Sequence, residues 1–251
     1  MKYVEIPNLP EAKVKLAVID GRVNLEAQSS FKELGIELIK TDQHISVYPA
    51  IAYHPDIILH HIGGNKVLHA PETELRLLRI LRKYGFELYE GSTKLINKYP
   101  GNIAYNVARV GDLAFHNLKY TDPLLKRMLE NSGIKFVHVN QGYSKCAISI
   151  IDSKSIITSD RGIAIAAETS GLEVLLINQN ESILLPGISN GFIGGSSCLI
   201  DKYKWAVTGN INSLLSCKKI CEFLEKKGIS IVQLTSKKLI DLGSILPLIT
   251  E

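Results

Sequence analysis

Long apolar runs are missing from this sequence, and so is a recognisable leader. No stretch approaches the roughly 18–20 apolar residues that are needed to cross a bilayer. The N-terminus also lacks the successive positive, apolar and small-residue regions of a signal peptide. We therefore expect a cytoplasmic protein that makes no membrane contact.

Cysteine is scarce as well. The four cysteines have neither zinc-ribbon spacing nor the density of a disulfide scaffold, which suits a reducing compartment. Cys217 and Cys221 stand four residues apart on one face of a predicted helix. Helix packing is favoured over a metal pair there, because no second pair of ligands is near in sequence. The sequence predicts no metal site.

A basic tract is also absent. The 29 Lys and Arg residues and the 25 Asp and Glu residues are mixed along the chain and give a formal net charge of +4. Charge alone therefore neither demands nor excludes a nucleic-acid partner. The apolar content of 45% over 251 residues is enough for a substantial core.

What the sequence does contain is a phrase that recurs five times. An apolar residue, three variable residues and a glycine are followed by an apolar-x-apolar-apolar run, as in Leu129-Glu-Asn-Ser-Gly133-Ile-Lys-Phe-Val137. Glycine takes the left-handed cap conformation without a Cβ penalty, so each copy predicts a helix that ends at the glycine and leads into a buried strand. The five glycines are Gly35, Gly85, Gly133, Gly171 and Gly228. Spacings of 50, 48, 38 and 57 residues indicate a repeated unit.

The full unit reads strand, strand, helix, strand. Strands are predicted to open the later units at Asp56–Ile62, Ile103–Val110, Cys146–Ile151 and Cys198–Asp201. Among the helices, one is predicted to begin at Pro71-Glu72 and the last to span Asn212–Lys227. The chain is predicted to be a single domain, residues 1–251, with units of approximately 1–45, 46–95, 96–140, 141–185 and 186–251.

Five such units favour a closed ring. Each unit buries one sheet face under its own helix and needs neighbours for its flanks. The first unit lacks one strand, and either Tyr3–Ile6 or Ser244–Ile249 is expected to supply its edge partner. Pro247 suits an edge strand better than a central one, because proline cannot donate to the strand ladder.

The repeat and one glycine-rich phrase together resemble a known family. The phrase Asn190-Gly-Phe-Ile-Gly194-Gly195-Ser-Ser-Cys198 stands at the start of the last unit. The chain resembles the penteins, an α/β fold that is a five-bladed α/β propeller of ββαβ units around a pseudo-five-fold axis. They include arginine and agmatine deiminases, dimethylarginine dimethylaminohydrolases and amidinotransferases. Their catalytic cysteine follows such a loop, so the resemblance implies that Cys198 is the nucleophile, with Ser197 in place of the usual histidine.

The resemblance implies further site residues. His138, in His138-Val-Asn140, matches the catalytic histidine of the family, with Asn140 in place of an acid. Asp56 stands where the second unit offers a substrate-binding acid. Asn102, in Tyr99-Pro-Gly101-Asn102, occupies the place of a Glu-Gly-Gly-Asp phrase, so the glutamate of the family is missing.

Simpler interpretations stand beside these. Asp160 and Arg161 place a carboxylate and an anion clamp at the mouth of the ring, or else form a helix N-cap and a solvent-facing side chain. Cys198 competes with a buried packing cysteine, and His138 with a surface histidine. Cys146, at the start of the fourth unit, is a rival nucleophile that no glycine loop closely precedes.

Attack on a guanidinium carbon needs a thiolate, a histidine that protonates the leaving amine, and carboxylates that hold the cation. We therefore predict a cysteine-dependent hydrolase or transferase that acts on a small guanidino, amidino or related C–N substrate through a covalent thiol adduct, without a metal or an organic cofactor. The alternative is a non-catalytic ring that binds a ribosome or nucleic acid, similar to the ribosome-associated initiation factor six. The missing glutamate favours this alternative.

Overall fold

The computed structural model describes residues 1–188 and 190–251. Its helices are α1 (Leu25–Glu33), α2 (Pro55–Ile58), α3 (Leu75–Lys83), α4 (Pro123–Asn131), α5 (Ser144–Ala147), α6 (Arg161–Thr169) and α7 (Cys217–Glu225). Its strands are β1 (Lys2–Tyr3), β2 (Val14–Ile19), β3 (Glu37–Lys40), β4 (Leu59–Gly63), β5 (Lys66–His69), β6 (Glu87–Glu90), β7 (Ala108–Val110), β8 (Leu113–His116), β9 (Lys135–His138), β10 (Ile148–Asp152), β11 (Ser155–Thr158), β12 (Glu173–Leu176), β13 (Ser197–Asp201), β14 (Lys204–Val207), β15 (Ser230–Gln233) and β16 (Leu246–Thr250).

Within these residues the strands form five small sheets. Four of the sheets share one plan, in which an antiparallel hairpin is followed by a parallel third strand: β4-β5-β6, β7-β8-β9, β10-β11-β12 and β13-β14-β15. A helix of nine residues precedes each third strand: α3, α4, α6 or α7. The predicted order of strand, strand, helix, strand is thereby confirmed for these four units.

The first sheet draws on both ends of the chain. Its strand order is β1-β16-β2-β3, and β16 runs antiparallel to β2, where it supplies the strand that the first unit lacks. Of the two expected partners, the C-terminal segment is therefore the one that pairs with β2, and β1 lies outside it. Pro247 nevertheless lies in a middle strand. This position is tolerated because β1 pairs with β16 only at Ile249 and Thr250, and because the register with β2 shifts just after Pro247.

The recurring glycines end the five helices, as predicted. Each has a positive φ, between 67° and 84°. The following N–H group returns to a carbonyl near the helix end, as Ile134 does to Leu129 at 3.0 Å. The apolar residue that opens each phrase is fully buried at the helix–sheet contact: Phe31, Leu81, Leu129, Ala167 and Leu224. In each unit the phrase thus supplies one buried residue that packs the helix on the sheet and one glycine that caps the helix.

Two helices begin later than the sequence predicts. The segment Pro71-Glu72 forms a turn, since Glu72 has φ +64°, and α3 begins only at Leu75. In the last unit a turn of 3-10 helix, Ile211–Ser213, precedes α7. The Glu181 carboxylate accepts hydrogen bonds from the N–H groups before α7, at 2.7 and 2.9 Å.

The predicted strand starts are also corrected. The residues expected to open two strands instead form the one-turn helices α2 and α5, and β7 begins at Ala108. Tertiary hydrogen bonds hold these turns, because the Asp56 N–H donates to the Gly243 carbonyl and the Lys145 N–H to the Asn106 carbonyl, both at 3.2 Å. In the described part of the chain, no helix is both long and apolar enough to cross a membrane.

The caps make a first prediction. A Cβ at Gly133 would have no described atom within 4 Å, so a substitution there meets only the strain of φ +77°. Gly133→Val should lower the free energy of unfolding by more than about 1 kcal/mol, because a β-branched residue avoids this conformation. Gly133→Asn is the matched control and should lose less, since asparagine tolerates it. Chemical denaturation that gives equal stabilities for both variants and the wild type would contradict the cap.

Buried histidines make a second prediction. Burial lowers the pKa of His60 to about 3 and the pKa values of His61 and His116 to about 4. Below pH about 6.5 the unfolded chain binds protons that the folded chain refuses, so each histidine removes up to about 1.4 kcal/mol of stability per pH unit. Above that pH the contribution is constant.

The measurement is unfolding free energy between pH 7 and about 4.5. On acidification, the free energy of unfolding of His60→Gln should fall less steeply than that of the wild type. The difference in slope corresponds to up to about one bound proton. Parallel curves for the two proteins would mean that His60 titrates normally in the folded state.

Candidate functional site

Polar residues from three units and the end of the chain meet in one buried cluster. Short helix α2 carries Asp56 and short helix α5 carries Lys145 and Cys146, each directly before the first strand of its sheet. The turn before β7 adds Asn106, and the turn before β16 adds Ser244. All five are buried, with Lys145 the most exposed at 6%.

Hydrogen bonds join the cluster around the Asp56 carboxylate. Asp56 Oδ2 accepts from the Cys146 thiol at 3.0 Å and from the Ser244 hydroxyl at 2.7 Å. Ser244 Oγ accepts in turn from the Lys145 ammonium at 3.0 Å. Asn106 Oδ1 accepts from the Lys145 N–H at 2.8 Å, and its Nδ2 lies 3.3 Å from Cys146 Sγ. The thiol is therefore held between a carboxylate and an amide.

Burial opposes every charge in this cluster. It raises the pKa of Asp56, an effect that the Lys145 charge partly offsets. It also raises the pKa of Cys146 well above its ordinary value, and the negative charge of Asp56 adds to this shift. Burial likewise lowers the pKa of Lys145. The resting thiol is consequently protonated at neutral pH.

His54 completes the arrangement. One of its ring nitrogens, a carboxylate oxygen of Asp56 and Cys146 Sγ all lie within 4.8 Å of one another. Neither ring nitrogen has a hydrogen-bond partner among residues 1–188 and 190–251, and Nε2 lies 3.8 Å from Asp20 Oδ2. Burial lowers the pKa of His54 to about 3, so the imidazole is neutral. A neutral imidazole can accept a proton or bind a metal.

A second carboxylate, that of Asp241, packs against the glycine-rich loop. Asp241 accepts hydrogen bonds from the N–H groups of Gly243 at 2.9 Å and Phe192 at 2.8 Å. Burial raises its pKa to about 7. A side chain at position 195 would collide with this carboxylate. The close approach of Asp241 therefore accounts for Gly195.

The structure does not bring Cys198 and His138 together. Cys198 lies in β13 among apolar residues of the first and fifth units, and burial raises its pKa to about 12. His138 is exposed at the end of β9, where its Nδ1 accepts from the Leu118 N–H at 3.3 Å. No hydrogen bond links the two in the described structure. Their joint catalytic role stays a prediction.

Of the other sequence-predicted residues, Asp56 alone has a hydrogen bond to another member of the cluster in the described structure. Asn102 is fully buried and its Oδ1 accepts from the Tyr143 hydroxyl at 3.0 Å. Asn140 is exposed. Asp160 is the N-cap of α6, where it accepts from the Ile163 N–H at 2.9 Å, and Arg161 is exposed.

Sequence reasoning named Cys146 only as a rival and missed four members of the cluster. Asn106, Lys145 and Ser244 share one signal, which is a polar residue directly before the first strand of a unit. His54 precedes Asp56 by two residues and sits at the N-cap of α2. The periodic pattern could have marked these positions, because equivalent strand starts of repeated units converge.

A family and a fold can now be assigned. A sequence profile for a family of unknown function, DUF6873, matches residues 18–246. The chain belongs to DUF6873. The sequence matches no curated protein.

Solved structures similar to this DUF6873 chain have the pentein fold. One is inosamine-phosphate amidinotransferase from Streptomyces griseus, with 10% identity, a TM-score of 0.59, and 98% of this chain and 97% of that chain covered. Another is agmatine deiminase from C. jejuni with substrate bound, with 11% identity, a TM-score of 0.59, and coverage of 99% and 96%. A third is DDAH from Pseudomonas aeruginosa complexed with citrulline, with 10% identity, a TM-score of 0.56, and coverage of 89% and 93%. At identities this low, the TM-scores and the coverage show a shared fold.

Burial makes a third prediction. Cys146 and Cys198 are 3% and 8% exposed and have raised pKa values, whereas Cys217 and Cys221 are partly exposed. A thiol reagent should therefore modify Cys217 and Cys221 first, with the buried pair slower by at least about 10-fold. Peptide mapping by mass spectrometry gives the order. Fast labelling of Cys198 in the folded protein would instead favour the nucleophile that the family resemblance implies.

Proposed function

We propose that this protein is a cysteine-dependent enzyme that acts on a small guanidino, amidino or related C–N compound through a covalent adduct on Cys146. The observation that carries the proposal is the mutual proximity, within 4.8 Å, of a thiol, an imidazole and a carboxylate: Cys146, His54 and Asp56. A nucleophile, a proton carrier and an anionic substrate anchor are the groups that this chemistry needs.

The architecture that we infer is a five-bladed propeller in a single domain, with the cluster on its pseudo-five-fold axis. Two facts support it. The four similar sheets each begin with a strand whose preceding turn reaches the cluster or its neighbours, and the end of the chain reaches the same place before β16. The pentein structures above also align over nearly the whole chain.

In the first step the Cys146 sulfur attacks the electrophilic carbon of the substrate. A C–S bond forms as the C–N π bond opens, and the thiol proton passes to His54, either directly or through Asp56, so that His54 becomes an imidazolium. Collapse then breaks a C–N single bond, and the amine departs with a proton from the imidazolium of His54. Water or an acceptor amine attacks the adduct and regenerates the thiol, which gives hydrolysis or transfer.

Substrate charge would activate the cluster. A guanidinium beside Asp56 and Asp241 favours the ionised form of both carboxylates, whose pKa values burial has raised. The same positive charge stabilises the Cys146 thiolate. Binding energy is thus used where charge develops rather than in the resting protein.

Access requires movement. A cavity of about 20 Å³ borders Asp56 and Lys145, and it is large enough for about one water molecule but not for a guanidino compound. The hydroxyl groups of Tyr48 and Tyr143 meet at 3.1 Å, and Tyr143 is the N-cap residue of α5, the short helix that carries Cys146. We infer that the tyrosines separate when substrate enters.

The similar structures give no support to a ribosome or nucleic-acid partner. The agmatine deiminase is described with substrate bound and the DDAH in complex with citrulline. These descriptions favour the small-molecule enzyme over the macromolecule-binding ring.

The test is a panel of guanidino and amidino compounds, with ammonia release, urea release and amidino transfer as readouts. Cys146→Ser should lower turnover by about 10³-fold or more, and His54→Gln by about 10²- to 10⁴-fold. Mass spectrometry of a quenched reaction should find the adduct on the Cys146 peptide. If Cys198→Ser abolishes turnover while Cys146→Ser does not, the nucleophile is misassigned. If no compound of either class reacts with the folded wild type, the proposed activity fails.

A further inference from the structure

The cluster contains buried polar atoms whose partners are missing. Both ring nitrogens of His54 and Oδ1 of Asp56 have no hydrogen-bond partner within the described ranges, although both residues are at most 2% exposed. Buried polar atoms of this kind normally have a partner, and each exception asks for an explanation. Here the exceptions lie beside one thiol, that of Cys146.

These atoms form a metal-ligand set. Imidazole nitrogen, thiolate sulfur and carboxylate oxygen are the three donor types that Zn²⁺ takes in proteins, at about 2.0–2.3 Å. Ligands of a tetrahedral ion at those bond lengths lie about 3.3–3.8 Å apart. The three atoms of His54, Asp56 and Cys146 lie within 4.8 Å of one another, so a contraction of about 1 Å would complete the geometry.

Neighbouring groups already orient the three side chains. The Asp20 carboxylate lies 3.8 Å from His54 Nε2 and is fixed by Arg22, whose guanidinium donates to it at 2.6 and 3.0 Å. A carboxylate beside the second nitrogen of a ligating histidine sets the ring orientation and raises its basicity. Ser244 binds the other oxygen of Asp56, which leaves Oδ1 for a cation.

Lys145 does not fill this position. Its ammonium donates to Ser244, and no ion pair within 4.0 Å joins it to Asp56 among the residues that the structure describes. The carboxylate and the thiolate therefore bring two negative charges to a point where Lys145 gives only indirect compensation. A divalent cation supplies the direct contact.

We propose that His54, Asp56 and Cys146 bind one divalent ion of the zinc type, with a fourth position open to water or a small ligand. Binding releases the Cys146 proton to solvent and forms a metal–sulfur bond. The inference uses the residues of the proposed function but needs no substrate. A sulfur that is bound to the ion does not attack carbon, so the metal-bound and thiol-active states exclude each other.

The experiment uses the full chain with Cys217→Ser and Cys221→Ser, which removes the partly exposed thiol pair as a competing site. Chelator-treated protein is titrated with Co²⁺, and absorption and calorimetry follow binding. One ion per chain should bind, with a sulfur-to-cobalt charge-transfer band that Zn²⁺ abolishes by displacement. Saturation without that band, or no saturable binding by the folded parent, overturns the proposal.

Four variants in the same background locate the site. Cys146→Ser should remove the charge-transfer band. His54→Gln should weaken Zn²⁺ binding more strongly than Asp20→Asn, which should cost about 10-fold because it alters only the support of the imidazole. Cys198→Ser is the matched control and should keep the band. A band that survives Cys146→Ser, or one that Cys198→Ser removes, overturns the assignment.

Two further measurements, circular dichroism and turnover, distinguish loss of folding and loss of activity from loss of metal binding. Near-ultraviolet circular dichroism of each metal-free variant shows whether it is folded, and Asp56→Asn is a second ligand variant should His54→Gln unfold. Binding without any turnover of guanidino compounds sinks the proposed function and leaves the metal site standing. Turnover without metal binding does the reverse.

Discussion

The pairing of β16 with β2 is the contact on which both the first sheet and the cluster depend. It carries the end of the chain back to the first unit, with Leu246 opposite Val18 and Thr250 opposite Val14. The turn that leads into β16 holds Ser244, which provides the shortest hydrogen bond to Asp56 and the acceptor for Lys145. The strand that completes the first sheet therefore also brings Ser244 into the cluster, so damage to this pairing would disturb the contacts of Asp56 and Lys145.

Three ionisable side chains of the cluster lie where the fold disfavours their charged forms. A carboxyl, a thiol and an ammonium are held out of water, and burial drives each of them toward its neutral form. Such an arrangement is costly to stability unless hydrogen bonds satisfy it, and three atoms of His54 and Asp56 lack partners in the described structure. Both proposals above place a cation, organic or metallic, beside the Asp56 carboxyl and the Cys146 thiol, where it would favour their ionised forms.

Much of the fold could be predicted because its signals are local. A glycine at positive φ after a buried apolar residue can be recognised in nine residues of sequence, and it marks the helix end in every unit. The helix starts were harder. Glu72 adopts a left-handed conformation that the neighbouring sequence does not predict. At the start of α7, the preceding N–H groups bind Glu181, a residue more than thirty positions away in sequence.

The candidate site was harder still, because long-range contacts create it. Asp56 and Cys146 are 90 residues apart in sequence, and their hydrogen bond forms only when the turns before β4 and β10 meet. Periodicity predicted strands where the one-turn helices lie, and so missed the turns that hold the polar groups. The Gly194-Gly195 pair suggested that Cys198 is the nucleophile. In the structure the two glycines are required by the Ile148 carbonyl and the Asp241 carboxylate, which approach their Cα atoms too closely for any side chain.

Arg22 has a consequence for the rate at which anything reaches the cluster. Besides Asp20, its guanidinium binds the carbonyls of Pro49 and Ala50 at 2.8 and 2.9 Å, and so ties down the segment that carries Tyr48. If that segment must lift before a ligand passes, opening precedes binding and sets a ceiling on the observed association rate. The rate would then level off as ligand concentration increases, and mutation of Arg22 would raise the plateau.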